Sequence, residues 1–380
     1  MKYKKTNFLI VTTFFWFSLY AYLPQLTNYA KDMGASYKMI GVITSAYGFS
    51  QTILRIPFGI ISDALRKRKV FIVGGIISSL ISATLTYFFP NPYTLLATRF
   101  IAGIASATWV NFTILFVSYY NSEESGKAIS VATSGSKLGQ LLAMFISGFI
   151  AIRLGVRAIF LASIVASMIC LIFSFFIYEE KVKVEKVPIS TKGISRIIRN
   201  KRILHISLLG ALVQCIGYST NFGFTPLIAT GLGANKLELG FLTTAYNFPQ
   251  VLFSLLAGTV MAEKMGKKNA LLLGFLMTTS VCLFTPFAPS VNILYILQFI
   301  AGIGNAIAFS LLMAAVIEGV ESNLMTTTMG FYQAAFGVGM ILGPMILGGI
   351  GDYFGLTVGF IVVGLLGILG IFSILGFKDI

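Results

Sequence analysis

Gly41-Val-Ile-Thr-Ser-Ala-Tyr-Gly-Phe-Ser-Gln51 recurs 199 residues later as Gly240-Phe-Leu-Thr-Thr-Ala-Tyr-Asn-Phe-Pro-Gln250, with Gly, Thr, Ala, Tyr, Phe and Gln identical. The same offset carries Arg99-Phe-Ile-Ala-Gly-Ile onto Gln298-Phe-Ile-Ala-Gly-Ile. An offset of 200 carries Gly139, Gly148, Gly155 and Phe160 onto Gly339, Gly348, Gly355 and Phe360, and Pro24 and Pro226 close comparable stretches. One offset held along most of the chain marks an internal duplication.

Each copy is apolar beyond what a water-facing protein tolerates. The 380 residues are 56% hydrophobic and 11% charged, against about 25% charged in soluble domains. A membrane-spanning helix needs about 20 mostly apolar residues. Twelve such runs stand out, at 8–29, 39–61, 70–89, 94–118, 128–150, 158–178, 203–228, 240–262, 269–288, 292–317, 325–349 and 356–377. A transmembrane barrel would instead show alternating segments of about 10 residues. The predicted fold is all-α and polytopic, with six-helix bundles over 1–178 and 203–380 joined by a cytoplasmic linker over 179–202. Within the linker, a short amphipathic helix near 194–203 is expected on the inner leaflet. An even number of helices per copy makes the repeats parallel about the membrane normal.

The net charge of +15 reports topology rather than nucleic-acid binding. With the N-terminus inside, 20 of the 28 Lys and Arg fall in cytoplasmic segments, five in outer loops and three within helices. That bias is the positive-inside rule, and it places both termini in the cytoplasm of a cell-membrane protein. The basic start before the first run also resembles a signal peptide, but the run is long and has a counterpart in the second half. Cys170, Cys215 and Cys282 lie in separate spans and suggest neither a disulfide framework nor a metal site. His205, at the start of the seventh span, reads as interfacial, with a proton relay as the rival reading.

Gly59-Ile-Ile-Ser-Asp63-Ala-Leu-Arg66-Lys-Arg68-Lys69, between the second and third spans, resembles the signature loop of the major facilitator superfamily: Gly, three residues, Asp, a basic residue, then Gly and paired basics. Thr259-Val-Met-Ala-Glu263-Lys-Met-Gly266-Lys-Lys268 holds the same place in the second half. The resemblance implies a twelve-helix transporter working by alternating access, without a cofactor. It further implies that Asp63 gates the cytoplasmic side against a helix dipole, with Gly59, Arg68 and Glu263 as companions. Ala64 and Arg66 depart from the motif, where a basic residue and Gly are usual. Leu95-x-x-x-Arg99-x-x-x-Gly103 resembles the fourth-helix motif of drug–proton antiporters. Gly339-Met-Ile-Leu-Gly343-Pro344 resembles their fifth-helix motif, but it stands here on the eleventh span. Gly343 and Pro344 are counted with Asp63, Gly59, Arg68 and Glu263 as gating residues, and close packing of small residues with a Pro bend is the plainer reading of that motif.

Charges inside a bilayer are costly and mark function. Lys137 lies about 9 residues into the fifth span, roughly 14 Å along a helix rising 1.5 Å per residue, too deep to snorkel fully. Arg99 either snorkels outward or faces a central site. Polar pairs at helical spacing outline that site: Tyr22 and Gln25; Tyr47 and Gln51; Lys137 and Gln140; Gln214, Tyr218 and Asn221; Tyr246 and Gln250; Gln298 and Asn305; Tyr332 and Gln333. All thirteen Asp and Glu fall at helix ends or in loops. No P-loop, metal-ligand cluster or nucleophile–base spacing points to an enzyme. The expectation is a small-solute secondary transporter in the lipid bilayer, of efflux type for drugs or metabolites, coupled to protons or another ion and monomeric. The rival substrate is an organic or inorganic anion held by Lys137 and Arg99. A non-transporting membrane sensor is the remaining alternative, and it would be expected to carry a soluble domain.

Overall fold

A computed structural model describes residues 2–121, 124–179, 197, 199–321 and 324–376. The first half comprises α1 (Lys2–Tyr20), α2 (Leu23–Asp32), α3 (Tyr37–Leu65), α4 (Arg68–Phe88), α5 (Pro92–Ala107), α6 (Trp109–Val117), α7 (Ser125–Leu154) and α8 (Val156–Phe175). The second comprises α9 (Lys201–Gly217), a π-helical turn (Tyr218–Phe224), α10 (Thr225–Gly231), α11 (Lys236–Leu256), a second π-helical turn (Ala257–Met261) and α12 (Ala262–Met265). It continues with α13 (Lys267–Phe284), α14 (Val291–Ala315), α15 (Met325–Phe354) and α16 (Leu356–Gly376). The expected linker and its amphipathic helix fall largely outside the described residues.

Ten of the predicted spans are helical stretches long and apolar enough to cross a membrane. The second and eighth, α3 and α11, are helical but fall outside that set. Four spans predicted as continuous are interrupted. The first breaks at Ala21–Tyr22, the fourth at Thr108, and the seventh and eighth widen into π-turns. Proline explains the first and seventh. Pro24 and Pro226 have no N–H for the carbonyl four residues back, and their rings crowd it. Ahead of Pro226 the chain shifts register, so that Thr225 N–H reaches Thr220 O, five residues back.

The chain divides into two compact units, 1–34 with 46–185 and 235–241, and 35–45 with 186–234 and 242–380. Within the first, Phe15 stacks on Phe112 at 4.7 Å and Phe8 packs on Phe116 at 5.1 Å, which joins α1 to α6. Ser18 and Ser79 hydroxyls meet at 2.7 Å, and Ser167 reaches Ser79 at 3.3 Å. α8 turns Ser163, Ser167 and Ser174 inward and leaves Leu161, Val165, Met168 and Ile172 exposed. That inversion of the soluble pattern suits lipid: tails compete for apolar surface, while small polar residues join helices. In the second unit, a methyl group at Gly343 would lie 2.4 Å from Cys215 O, and one at Gly41 would lie 2.3 Å from Pro344 O. Gly343 and Pro344 therefore serve close helix packing.

Candidate functional site

Of the four interruptions, the two linked to Pro24 and Pro226 sit beside the duplicated motifs, and each unit builds its own polar cluster there. In the first unit, Tyr22 lies at the α1–α2 break, Tyr47 on α3, and Arg99 with Ser106 on α5. Gly103 makes the assembly possible. A methyl group there would stand 2.3 Å from Tyr47 O, so only bare backbone lets α5 approach α3 this closely. Arg99 is 3% exposed, with Cζ 4.5 Å from the centre of the Tyr47 ring and 5.9 Å from that of Tyr22. One Arg99 Nη approaches Tyr22 Oη at 3.5 Å, and Nε is buried without a hydrogen-bond partner. Tyr47 Oη donates to Ser106 Oγ at 2.8 Å. Arg99 thus points into its unit rather than snorkelling outward, and among the described residues no carboxylate pairs with it. Two aromatic faces offset part of its desolvation, roughly 2 kcal/mol for a desolvated cation–π contact, but they leave its charge uncompensated.

Lys137, on α7, is half-buried, and its Nζ donates to Gln140 Oε1 at 3.4 Å. Gln25 instead ties helix ends together, donating to Lys236 O at 2.6 Å. Gln51 Oε1 is buried without a partner, whereas Gln250 Nε2 turns back to Tyr246 O at 3.2 Å. Gln214, Tyr218 and Gln333 are half-buried.

The second unit repeats the plan with different chemistry. Gly302 lets α14 approach α11, since a methyl group there would lie 2.1 Å from Tyr246 O. Gln298 occupies the position of Arg99, is fully buried, and has neither amide atom hydrogen-bonded. Asn305 stands where the first half has Ser106, and Asn221 lies in the π-turn. The Nδ2 groups of both asparagines are buried without partners. Phe222 packs edge-on to Tyr246 at 6.2 Å. Pi-helical turns recur at functional sites.

Of the expected gating residues, Asp63, Gly59 and Arg68 lie about the α3–α4 connection of the first unit, while Glu263, in α12, and Gly343 and Pro344, in α15, belong to the second. Arg68 forms an ion pair with Asp63, and its backbone N–H donates to Glu179. Arg66 adopts a φ of 54°, the left-handed conformation that explains why Gly is usual there; Gly266, its counterpart, has a φ of 81°. Gly59 has open space beside it, and Glu263 is exposed. Every described Asp and Glu lies at or near a helix end or in a connection.

Sequence reading missed three participants: Gln298 as an unpartnered buried amide, Ser106, and the bare backbone at Gly217. It also missed the interruptions themselves. Pro24 and Pro226 were the available signal, because interrupted segments at matching places in two repeats point to a transporter's binding region.

The sequence profile of the Major Facilitator Superfamily matches residues 8–227 and 207–379. An uncharacterized MFS-type transporter of Methanocaldococcus jannaschii is 24% identical over 341 residues, covering 88% of this chain and 87% of that protein. The multi-drug resistance efflux pump PmrA of Streptococcus pneumoniae is 23% identical over 352 residues, covering 88% and 85%. Among solved structures, a mutant form of the nucleoside transporter NupG is similar in fold, with a TM-score of 0.84 at 16% identity, covering 99% of this chain and all of that one.

Proposed function

The chain belongs to the Major Facilitator Superfamily of membrane transporters, and we propose that it is a secondary carrier of efflux type for drugs or metabolites. The single observation that carries this reading is the paired cluster at the interrupted first helix of each repeat, Tyr22–Tyr47–Arg99 and Asn221–Tyr246–Asn305. Relatives named as multi-drug efflux pumps, such as PmrA, supply the direction. In this reading 1–178 and 203–380 are the two bundles of a carrier that works by alternating access. Gln140, Gln214, Tyr218, Gln250 and Gln333 add polar lining, and Asp63 with Arg68, Gly59 and Glu263 gates the cytoplasmic end. The protein is monomeric, lies in the cell membrane with both termini inside, and couples to protons or another ion. The test is counterflow in proteoliposomes with a panel of aromatic drugs, sugars and organic anions, with and without a pH gradient. Failure of folded protein to exchange any of them would sink the reading.

A second reading, an organic or inorganic anion carrier, is favoured by one observation: neither Arg99 nor Lys137 has a carboxylate partner among the described residues. Lys137→Met should then abolish anion uptake by protein that remains folded. Unchanged uptake removes Lys137 from the site.

A further inference from the structure

The duplicated scaffold allows a comparison that a single site would not. In the first unit the tyrosine of α3 and the polar residue of α5 satisfy each other, Tyr47 Oη donating to Ser106 Oγ at 2.8 Å. In the second unit Tyr246 and Asn305 hold the same two positions, yet Asn305 Nδ2 is buried without a partner. Both polar atoms converge on the bare backbone of Gly217: a methyl group there would lie 3.0 Å from Tyr246 Oη and 3.2 Å from Asn305 Nδ2. The π-turn begins at the next residue and carries Asn221, whose Nδ2 is also buried and unpartnered. Asn221 and Asn305 are 2% and 7% exposed. An unfilled buried donor loses its hydration with nothing in return.

We infer that Gly217, Asn221, Tyr246 and Asn305 form a binding subsite for uncharged aromatic compounds that carry carbonyl or hydroxyl acceptors. The unfilled atoms are N–H donors, so the complementary ligand group is an acceptor. The Phe222 and Tyr246 rings, edge-on at 6.2 Å, supply an apolar aromatic wall. Among the described residues no hydrogen bond or ion pair joins a carboxylate to Asn221, Tyr246 or Asn305, so no acid here pairs with a cationic ligand. The inference rests on the reading of the chain as a carrier and narrows its substrate class.

The test uses the full-length protein in nanodiscs. Chloramphenicol, an uncharged aromatic amide with hydroxyl groups, is the probe, and tetraphenylphosphonium, an aromatic cation without acceptors, is the contrast. The wild-type protein should bind chloramphenicol without competition from tetraphenylphosphonium. Gly217→Ala, which fills the space, should weaken binding about tenfold or more, and so should Asn305→Asp, which keeps the shape but turns a donor into an acceptor. If Gly217→Ala fails to fold, Asn305→Asp and Asn221→Asp decide the matter. Absence of chloramphenicol binding by the wild type, wild-type affinity in the variants, or effective competition by the cation would each overturn the subsite. Flux in proteoliposomes separates the two claims. Chloramphenicol flux indifferent to the variants removes the subsite and leaves the carrier. Variant-sensitive binding without flux removes the carrier and leaves the subsite.

Discussion

The carboxylate of Asp352, near the end of α15, accepts hydrogen bonds from the backbone N–H groups of Tyr37 at 2.6 Å and Lys38 at 3.0 Å, the first residues of α3. The equivalent helix start in the second half needs no such help. Asn235 Oδ1 accepts from Leu237 and Glu238 N–H at 2.9 and 3.0 Å, and Glu238 Oε2 accepts from Asn235 N–H at 2.7 Å. That is a reciprocal capping box. α3 is thus capped both locally, where Ser36 Oγ accepts from Met39 N–H at 3.2 Å, and by a side chain 315 residues away, whereas α11 is capped by its own sequence. Asp352→Ala should lower stability by about 0.5–2 kcal/mol, the usual value of a lost cap. Asp352→Asn leaves one acceptor oxygen for two N–H donors, so it should lose one hydrogen bond together with the charge and cost a similar amount, ~0.5–2 kcal/mol. Thermal unfolding of the purified protein checks both, and equal stability of wild type and Asp352→Ala would remove the cap.

Arg66 pays for its left-handed backbone where Gly266 does not. Arg66→Gly should relieve roughly 1–2 kcal/mol of steric strain and return about 0.5–1 kcal/mol through the freer unfolded chain. A net gain of up to about 1.5 kcal/mol is expected in chemical unfolding. A clear loss would mean that the Arg66 side chain stabilises the turn.

Three glycines should respond differently to one added methyl group. Gly103→Ala and Gly302→Ala meet the Tyr47 and Tyr246 carbonyls and should each cost about 1–3 kcal/mol, with reduced transport. Gly59→Ala meets nothing within 4 Å inside α3 and should be neutral or stabilising by about 0.5–1 kcal/mol. The same unfolding temperature for all three variants would contradict the packing.

Glu318 joins Lys267 at 2.6 Å and Arg202 at 3.8 Å. The hydrogen bond from Lys267 comes first, and the charges of Lys267 and Arg202 add to it, holding its carboxyl below the usual 4.5. A depressed folded-state value means that the contribution to stability is complete above the ordinary carboxylate value. It is lost as pH falls through the folded one. Wild-type stability should therefore decline on the acid side of pH 4.5 more steeply than that of Glu318→Gln. Superimposable acid profiles would exclude this linkage. The pair is exposed, so the difference should be small and should shrink in high salt.

The sequence by itself determined the helical membrane architecture, the duplication, and the placement of every described acid at or near a helix end or in a connection. These properties are local: insertion into lipid is decided residue by residue along a run, and the repeat is a pattern of letters. Pro24 and Pro226 marked the broken helices for a reader who took them as interruptions rather than ends. Only the tertiary structure decided that Arg99 turns inward onto Tyr47, that Gln25 serves a helix end rather than the cluster, and that Tyr47 has a partner in Ser106 while Asn305 Nδ2 has none. Whether a buried polar atom is satisfied depends on which side chain faces it from another helix. That is set by helix rotation and by how closely bare glycine backbone lets two helices approach, neither of which the spacing of residues along one helix contains.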